Sequence, residues 1–232
     1  MKPCDKEPEI LFFDNHLLVL NKPSGMLTQP NHTMEFSLEA FGKQWLKTHF
    51  QKKGNVFLEA VHRLDRVASG IVLFARSQKA LSRLQQAQRE KRFEKSYFAL
   101  VEGRLAKQQA TLSHYLVHKN HKAHISNEKE PKAKQCMLKY RAVKESIEYT
   151  LLHIALETGR YHQIRAQLAA IGYPILGDLK YGSTNSFRAI ALHHGHLQVP
   201  HPISRKPISW RVLLPDDWPF AFHHPPQWSS FQ

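Results

Sequence analysis

The segment "HRLDRVASG" (62–70) places one carboxylate, Asp65, between Arg63 and Arg66, directly before a strongly apolar run. A loop that leads into a buried strand is a position at which a rigid scaffold presents functional side chains. A carboxylate near guanidinium groups in a partly desolvated cleft stays ionised, because the opposite charge favours the anion while burial opposes it. Asp65 is therefore a candidate nucleophile or base, with an ordinary surface ion pair as the alternative.

A second segment, "ETGRYHQIRAQLAAIG" (157–172), predicts a helix over about 161–171 because its apolar residues recur at helical spacing. His162 and Arg165, three residues apart, then share a face near the start of this helix. Such a face suits an anion, so Arg165 could hold a carboxylate such as Asp65 or contact a phosphate. An arginine on a solvated helix face is the alternative.

The elements that must position these residues are many strands and about three helices. Ser37 and Ser77 are predicted N-caps of two helices that end near His49 and Arg89. The strand candidates are 10–13, 17–20, 70–75, 95–101, 112–117, 136–143, 149–156, about 189–199 and 208–214. Because strands and helices do not alternate strictly, this order favours an α+β fold on a largely antiparallel, mixed central sheet flanked by helices.

The composition indicates a polyanionic partner. The 232 residues carry 33 Lys and Arg against 19 Asp and Glu, which gives a formal charge of +14, so nucleic acid is the leading candidate. Two cysteines are too few for a disulfide framework and fit a reducing cytosol. No signal peptide and no run approaching the ~18 apolar residues of a membrane span is present. We therefore expect a soluble cytoplasmic protein.

No repeat or low-complexity linker marks a domain boundary, so 1–232 is expected to form a single domain. The residues after about 214 are rich in proline and aromatics, and 215–232 is predicted to be an irregular tail packed on the surface. A monomer with no obligatory protein partner is the expected state.

Two clusters of basic residues are candidate surfaces for nucleic acid. Residues 119–144, a glycine-free hairpin or loop, hold eight Lys and Arg against Glu128 and Glu130. Phosphate contacts there would make the affinity sensitive to salt. A second candidate track consists of Arg76, Lys79, Arg83, Arg89, Lys91 and Arg92.

Several histidines cluster along the chain, at 114, 118, 121 and 124 and again at 193, 194 and 196. No carboxylates or cysteines stand beside them at the spacing of metal ligands. We therefore predict no metal site.

Five motifs together resemble the RluA-type RNA pseudouridine synthases, in order and in approximate spacing, from about residue 10 to about 214. They are "NKPSGMLTQP", "HRLDRVASG", "KSYFALVEG", "GRYHQIRAQLAAIGYPILGDLKYG" and "LHHGHLQVPHP". The resemblance implies the pseudouridine synthase fold, a single catalytic domain and no metal or organic cofactor. It also implies isomerisation of specific uridines in structured RNA, either ribosomal RNA or transfer RNA.

The resemblance assigns roles to individual residues. Asp65 matches the catalytic aspartate that attacks the uridine, at C6 or at C1′, so that the base can detach, turn and rejoin the ribose through C5. Arg165 matches the arginine that pairs with this aspartate. Tyr97 matches the tyrosine that stacks on the base and is a candidate for removing the C5 proton. Arg63 would help flip the uridine out of the stack and fill its place.

Other matched positions are candidates for contact with RNA or with the flipped base. Leu192 matches a residue that lines the uracil pocket, although a plain core role is the alternative. The remaining candidates are His62, Lys22, Arg160 and His162.

One position departs from the family pattern. Ala68 stands where threonine is common, which removes a hydroxyl from the loop that carries Asp65. If that hydroxyl braces the loop, the loop here must be braced in another way. The aspartate itself is intact, so we do not expect a loss of activity.

The motifs begin close to Met1, so the sequence predicts a short member without the S4-like N-terminal domain of many relatives. Two other functions stay open at this point. A catalytically silent RNA-binding or folding factor on the same scaffold predicts that wild type and Asp65→Asn complement a deletion strain equally well. A histidine- or metal-dependent nuclease predicts RNA cleavage that a chelator abolishes.

Overall fold

The computed structural model describes residues 6–33, 35–187 and 189–218. The helices are α1 (Leu38–His49), α2 (Gln78–Arg89) and α3 (Gln163–Ala170), with a short 3-10 helix at Leu179–Tyr181. The strands are β1 (Glu9–Phe13), β2 (Leu17–Lys22), β3 (Glu59–Ala60), β4 (Ser69–Ala75), β5 (Glu94–Glu102), β6 (Gln109–Lys119), β7 (Lys122–Ser126), β8 (Lys134–Glu145), β9 (Tyr149–Leu156), β10 (Leu192–Pro200) and β11 (Pro207–Arg211).

The chain divides into two compact units. The first unit comprises Met1–Glu94 and His194–Val212, and the second comprises Lys95–His193 and Leu213–Gln232. The single catalytic domain expected from the sequence stays a prediction.

In the first unit the strand order is β1-β2-β4-β10, with β3 paired to β4 and β11 paired to β10. The β1–β2 hairpin forms because the Asp14 side chain accepts hydrogen bonds from the backbone N–H groups of His16 and Leu17, both at 2.7 Å. Strand β2 then runs antiparallel to β4 from the Leu17 and Ala75 pair to the Lys22 and Gly70 pair. All seven residues of β4 are buried, so the loop before β4 leads directly out of the core.

Helices pack on this sheet through apolar stripes. Helix α2 begins where the Ser77 side chain accepts a hydrogen bond from Ala80 N, and it buries Leu81 and Leu84 against β4 and β10 residues such as Leu73. Helix α1 begins in the same way at Ser37. Both predicted N-caps are therefore confirmed.

Gly70, at the start of β4, is required by the approach of another strand. Its φ is +112°, and a Cβ atom at this position would collide with the backbone carbonyl of His194. Only glycine combines that backbone conformation with that close contact. The glycine of the "HRLDRVASG" motif thus fixes where β10 passes β4.

In the second unit the strand order is β5-β9-β8-β6-β7, and each neighbouring pair is antiparallel. Helix α3 packs on this sheet through Ala166, which shares a core cluster with Leu116, Ala123 and Tyr181. The α+β fold with a mixed, largely antiparallel sheet is confirmed.

The structure adds elements that the sequence did not predict. Strand β7 lies inside the basic stretch 119–144, between the turn that joins it to β6 and the loop that leads to β8, the strand predicted at 136–143. The stretch is neither one hairpin nor one loop, because β7 and β8 pair with opposite edges of β6. Helix α3 begins two residues later than predicted, since His162 is the N-cap with a left-handed φ of +51°. The predicted tail 215–232 falls outside the described residues from 219 onward.

Across residues 6–33, 35–187 and 189–218, no helix is long and apolar enough to cross a membrane.

His193, in β10, makes the stability of the protein depend on pH. Burial disfavours the imidazolium and lowers the pKa of His193 to about 3, although a hydrogen bond with the Leu213 backbone acts in the opposite direction. In the unfolded chain a histidine has a pKa of about 6.5. Between these two values the unfolded state binds a proton that the folded state does not, so the free energy of unfolding falls as the pH falls below about 6.5.

We expect His193→Gln to weaken this pH dependence. Between pH 7 and pH 5, the wild type should lose about 2 kcal/mol more unfolding free energy than the variant, because each pKa unit corresponds to about 1.4 kcal/mol. Urea titrations of both proteins at the two pH values measure this difference. Equal losses in the two proteins would contradict the assignment.

Candidate functional site

The loop that carries Asp65 belongs to the first unit and spans residues 61–68, between β3 and β4. Asp65 itself is half-buried, and the backbone N–H of Ala68 donates to the carbonyl of Asp65 at 3.1 Å, which closes a turn. Val61 and Leu64 are buried on either side. The loop is therefore anchored in the core while Asp65 stays accessible.

Lys22 stabilises the Asp65 loop through hydrogen bonds from its buried ammonium group. Its side chain is fully buried, and the Nζ atom donates to the carbonyls of Pro23 at 3.0 Å, Met26 at 2.8 Å and Arg66 at 3.1 Å. A buried ammonium is tolerated only when its donors are satisfied. The structure thus gives Lys22 a positioning role, and the burial of its ammonium argues against the direct RNA contact that the sequence suggested.

Residues 22–28, the segment that begins with Lys22, make further hydrogen bonds to the backbone of the Asp65 loop. Ser24 Oγ donates to Val67 O at 2.5 Å, and Gly25 N donates to Arg66 O at 2.8 Å. Thr28 Oγ1 donates to Leu64 O at 3.0 Å and accepts from Leu64 N at 3.2 Å. These contacts show how the loop is held with Ala68 in place of threonine, since hydroxyls from residues 22–28 reach its backbone.

Thr28→Val is expected to destabilise the protein by about 1–3 kcal/mol, because valine keeps the shape but leaves the buried N–H and C=O of Leu64 without the hydroxyl. Thr33→Val is the matched control, since the Thr33 hydroxyl binds only exposed partners. Urea unfolding of both variants measures the effect. A loss no larger in Thr28→Val than in Thr33→Val would show that this brace contributes nothing.

Arg63 and His62 have opposite environments. Arg63 is exposed and, within the described part of the chain, its side chain makes no hydrogen bond or ion pair, so the guanidinium can reach a ligand. His62 is buried, and its Nε2 accepts a hydrogen bond from Leu73 N at 3.2 Å, with the His194 ring edge-on at 5.3 Å. His62 thus supports β4, and its proposed contact with RNA stays a prediction.

Arg165 belongs to the second unit and is buried in a bidentate ion pair. Its Nε donates to Asp178 Oδ2 at 2.7 Å and its Nη2 donates to Asp178 Oδ1 at 2.8 Å, and the two side chains are 6% and 1% exposed. A buried, two-pronged pair fixes both the position and the plane of the guanidinium. The carboxylate that holds Arg165 within its own unit is therefore Asp178, and the pairing with Asp65 stays a prediction.

His162 extends this network on the other side of Arg165. Because arginine can only donate, His162 Nε2 accepts from Arg165 Nη1 at 2.9 Å, and the ring proton must then lie on Nδ1. His162 Nδ1 donates to Tyr181 Oη at 3.0 Å, and Tyr181 Oη also accepts a hydrogen bond from the backbone N–H of Ala123 at 2.8 Å. The neutral histidine thus connects the guanidinium of Arg165 to strand β7.

Arg160 and Tyr161 precede this network on an exposed stretch. Arg160 Nε donates to Gln135 O at 3.2 Å, which orients the side chain along β8. The Tyr161 ring stacks on His162 at 3.8 Å between ring centroids and lies 4.4 Å from His118. The arrangement combines an exposed cation with aromatic faces, as proteins that bind single-stranded RNA do.

Tyr97 lies on β5 of the second unit, opposite Ile154 of β9, and is 7% exposed. Lys95 lies two residues earlier and so faces the same side of the strand. Burial lowers the pKa of Lys95 to about 8. Leu192, at the start of β10, is also buried, at 5% exposed, and its role in a uracil pocket stays a prediction.

Sequence reasoning missed Asp178, Tyr181 and the bracing role of Lys22. Asp178 and Tyr181 both lie in "GDLKYG", at the end of the fourth motif, and no local pattern there indicates that their side chains contact Arg165 or His162. Nothing local to Lys22 distinguishes it from an exposed lysine.

The candidate residues divide between the two units. Lys22, His62, Arg63 and Asp65 lie in the first unit, while Tyr97, Arg160, His162, Arg165 and Leu192 lie in the second. Within the second unit the structure joins His162 to Arg165.

Known proteins share this fold. Human RNA Pseudouridylate Synthase Domain Containing 1 matches with a TM-score of 0.74 and 21% identity, over 91% of this chain and 86% of that protein. Human RNA Pseudouridylate Synthase Domain Containing 4 matches with a TM-score of 0.76 and 20% identity, over 89% of this chain and 88% of that protein.

Sequence relatives are more similar. An uncharacterized RNA pseudouridine synthase, YhcT of Bacillus subtilis, is 32% identical over 91% of this chain and 70% of its own length. Ribosomal large subunit pseudouridine synthase D of Nitrosomonas europaea is 32% identical over 90% of this chain, which spans only 62% of that relative. Ribosomal large subunit pseudouridine synthase C of Vibrio cholerae is 34% identical over 92% of this chain and 68% of its own length.

The family profile described as RNA pseudouridylate synthase matches residues 16–170, a stretch that contains the Asp65 loop, Tyr97 and Arg165. The resemblance drawn from the five motifs is thereby confirmed. The chain belongs to the RNA pseudouridylate synthase family, and it is an isomerase that converts uridine to pseudouridine in RNA.

Proposed function

We propose that Asp65 is the nucleophile of this isomerase and that the enzyme acts on uridines in structured RNA. The observation that carries the proposal is the Asp65 loop, which residues 22–28 hold by hydrogen bonds to the backbone at Leu64, Arg66 and Val67. A nucleophile is effective when the scaffold fixes it before the substrate arrives, because the ordering cost is then already met by folding.

The reaction assigned to Asp65 is a displacement at the uridine. The ionised carboxylate attacks C6 or C1′, the glycosidic bond breaks, the uracil turns, and C5 bonds to C1′ of the ribose. The C5 proton then leaves, with Tyr97 as the candidate acceptor, the carboxylate is released, and N1, which lost its bond to the ribose, takes up one proton. Atoms and charge balance without an added reactant, so the reaction needs no redox partner.

Arg165 is proposed to keep Asp65 ionised, as the family resemblance implies. The Asp178 pair supports this role, because a guanidinium held at two points keeps its remaining N–H donors in a fixed plane. One guanidinium has five donors and can serve more than one acceptor.

Arg63 is proposed to take the place of the flipped uridine. The side chain is exposed and lies two residues from Asp65, so it can enter the stack where the base has left. Extrusion of a paired base costs a few kcal/mol, which stacking and phosphate contacts offset.

Ribosomal RNA of the large subunit is the first substrate to test, because relatives such as those of Nitrosomonas europaea and Vibrio cholerae are named for it. Pseudouridines would be mapped in total RNA from a deletion strain, from its parent, and from the deletion strain carrying the wild-type gene. We expect at least one site to be lost on deletion and restored by the gene. An identical pseudouridine map in all three strains would contradict the proposed function.

A further inference from the structure

We propose that a pocket in the first unit, formed by α2 and the turn between β10 and β11, binds a backbone phosphate of the substrate RNA. The inference rests on the proposed function in taking RNA as the ligand. The pocket has a volume of about 270 Å³, and Arg83, Arg92, Arg205 and His201 are among the residues that line it. Three of these four side chains carry a guanidinium, so the pocket concentrates positive charge in a concave surface.

The three arginines are placed to donate into the pocket. Arg83 is half-buried, and its Nη1 donates to Pro202 O at 2.8 Å, which orients the guanidinium. A guanidinium has five N–H donors, so others can donate to a ligand. Arg205 is exposed and makes no side-chain ion pair within the described residues. Arg92 pairs with exposed Glu90 at 2.6 Å, and such a surface pair is weak enough to exchange for a phosphate.

The turn that carries Arg205 is held rigidly. His201 Nδ1 accepts from the backbone N–H groups of Ile203 at 3.3 Å and Ser204 at 3.1 Å, so its Nε2 donates to Asp14 Oδ2 at 2.8 Å. Burial opposes ionisation of Asp14, but hydrogen bonds from His16, Leu17 and His201 outweigh it and lower the pKa of this carboxyl. Asp14 is thus committed to the turn.

Arg205 has a left-handed φ of +61°, which costs energy in a residue with a side chain. Glycine or asparagine would adopt this conformation more readily. The turn nevertheless presents an arginine here, directly at the pocket.

The size and chemistry of the pocket favour one phosphate over a larger ligand. Pockets for small molecules and cofactors usually measure about 300–1,000 Å³ and are mainly apolar. The guanidinium fork matches phosphate oxygens in two-pronged geometry. An acidic protein would offer a similar anion, but a chain with a formal charge of +14 in an RNA-modifying family favours RNA.

The pocket lies at the far end of β4 from the Asp65 loop. Near the start of β4, His194 Nδ1 contacts Ile71 O at 2.7 Å. Beyond its end, Arg76 donates to the carbonyl of Asp14, whose side chain holds His201. Strands β4 and β10 therefore run in the same direction, and the seven residues of β4 separate the loop from the pocket by about 20 Å.

Because of this separation, contact with the pocket depends on the length of the RNA. A span of about 20 Å corresponds to roughly six nucleotides of a stacked strand. RNA that contacts the pocket must therefore extend well beyond a target uridine at Asp65, and a shorter RNA cannot engage both places.

The test is the triple variant Arg83→Gln, Arg92→Gln, Arg205→Gln, in binding assays with unmodified total transfer RNA and with a uridine oligonucleotide of about five residues. We expect about tenfold weaker binding of the transfer RNA and a salt slope smaller by about 1. Binding of the short RNA should change by less than about twofold, since it spans less than the ~20 Å to the pocket.

The control variant, Lys47→Gln, Lys52→Gln, Lys53→Gln, removes the same charge from exposed positions at the end of α1. A loss about three times smaller than that of the arginine variant is expected, because only long-range attraction is affected. A triple arginine-to-lysine variant should recover only part of the affinity, since lysine lacks the fork. Circular dichroism of each variant would check that it folds.

Equal losses in the arginine and control variants would overturn the inference, since general attraction would then suffice. Unchanged RNA binding with loss of an acidic protein partner would overturn it as well. The binding assay needs no turnover, so neither result tests the role of Asp65. If the Asp65 assignment failed, the binding result could still be interpreted.

Discussion

Asp65→Asn is expected to abolish pseudouridine formation, with a loss of about 10⁴-fold or more, while RNA binding changes by less than about twofold. The amide has nearly the shape of the carboxylate but carries no negative charge, so it cannot attack the uridine. The loop should keep its conformation, because the contacts from Lys22, Ser24 and Thr28 end on backbone groups of the loop.

The measurement is release of tritium from RNA labelled at C5 of uridine, which occurs only when C5 forms the new bond. Glu59→Gln is the matched control, because it neutralises an exposed carboxylate on β3, shortly before the loop. The control should release tritium at the wild-type rate. Turnover by Asp65→Asn at more than about a hundredth of the wild-type rate would refute the assignment of the nucleophile.

Asp178→Asn is expected to lower the free energy of unfolding by about 3–5 kcal/mol, a large part of the stability of a typical domain. The substitution leaves the guanidinium of Arg165 buried without its charged partner, and a buried unpaired charge is costly. The two hydrogen bonds from Arg165 would also lose their charge-assisted strength. Urea unfolding of the variant measures the loss.

Glu157→Gln is the matched control for Asp178→Asn. Glu157 pairs with Lys139 at 3.3 Å in the same unit, but these side chains are 43% and 46% exposed, so its removal should cost less than about 1 kcal/mol. The double variant Arg165→Met, Asp178→Leu should recover part of the stability, because it removes both buried charges. Equal losses in the two single variants would contradict a role for burial.

Much of the fold was predictable because its signals are local. The N-cap serines of α1 and α2 precede residues with helical apolar spacing. Strand β4 is a continuous apolar run, and such runs favour buried strands. Strand β7, "KAHIS", was missed because its residues are mostly polar and it is stabilised by pairing with β6 rather than by its own propensity.

The candidate site was predictable in part, through residue types at motif spacing. Asp65 and Arg165 were candidates from their residue types and spacing, and Tyr97 was found by resemblance to the family, which the family profile confirms without testing each role. The ion pair of Arg165 with Asp178 was not predicted. Thirteen positions separate the two residues, and no local pattern indicates that the chain returns to place this carboxylate at the guanidinium.

The sequence by itself determined the family, the class of fold and the identity of the candidate nucleophile, because each depends on residue types in a fixed order. Only the tertiary structure decided which polar groups are structural. Lys22 appears in the sequence as one of 33 basic residues, yet folding buries it where three carbonyls converge. Burial and hydrogen bonding are properties of the surroundings, and distant parts of the chain create those surroundings.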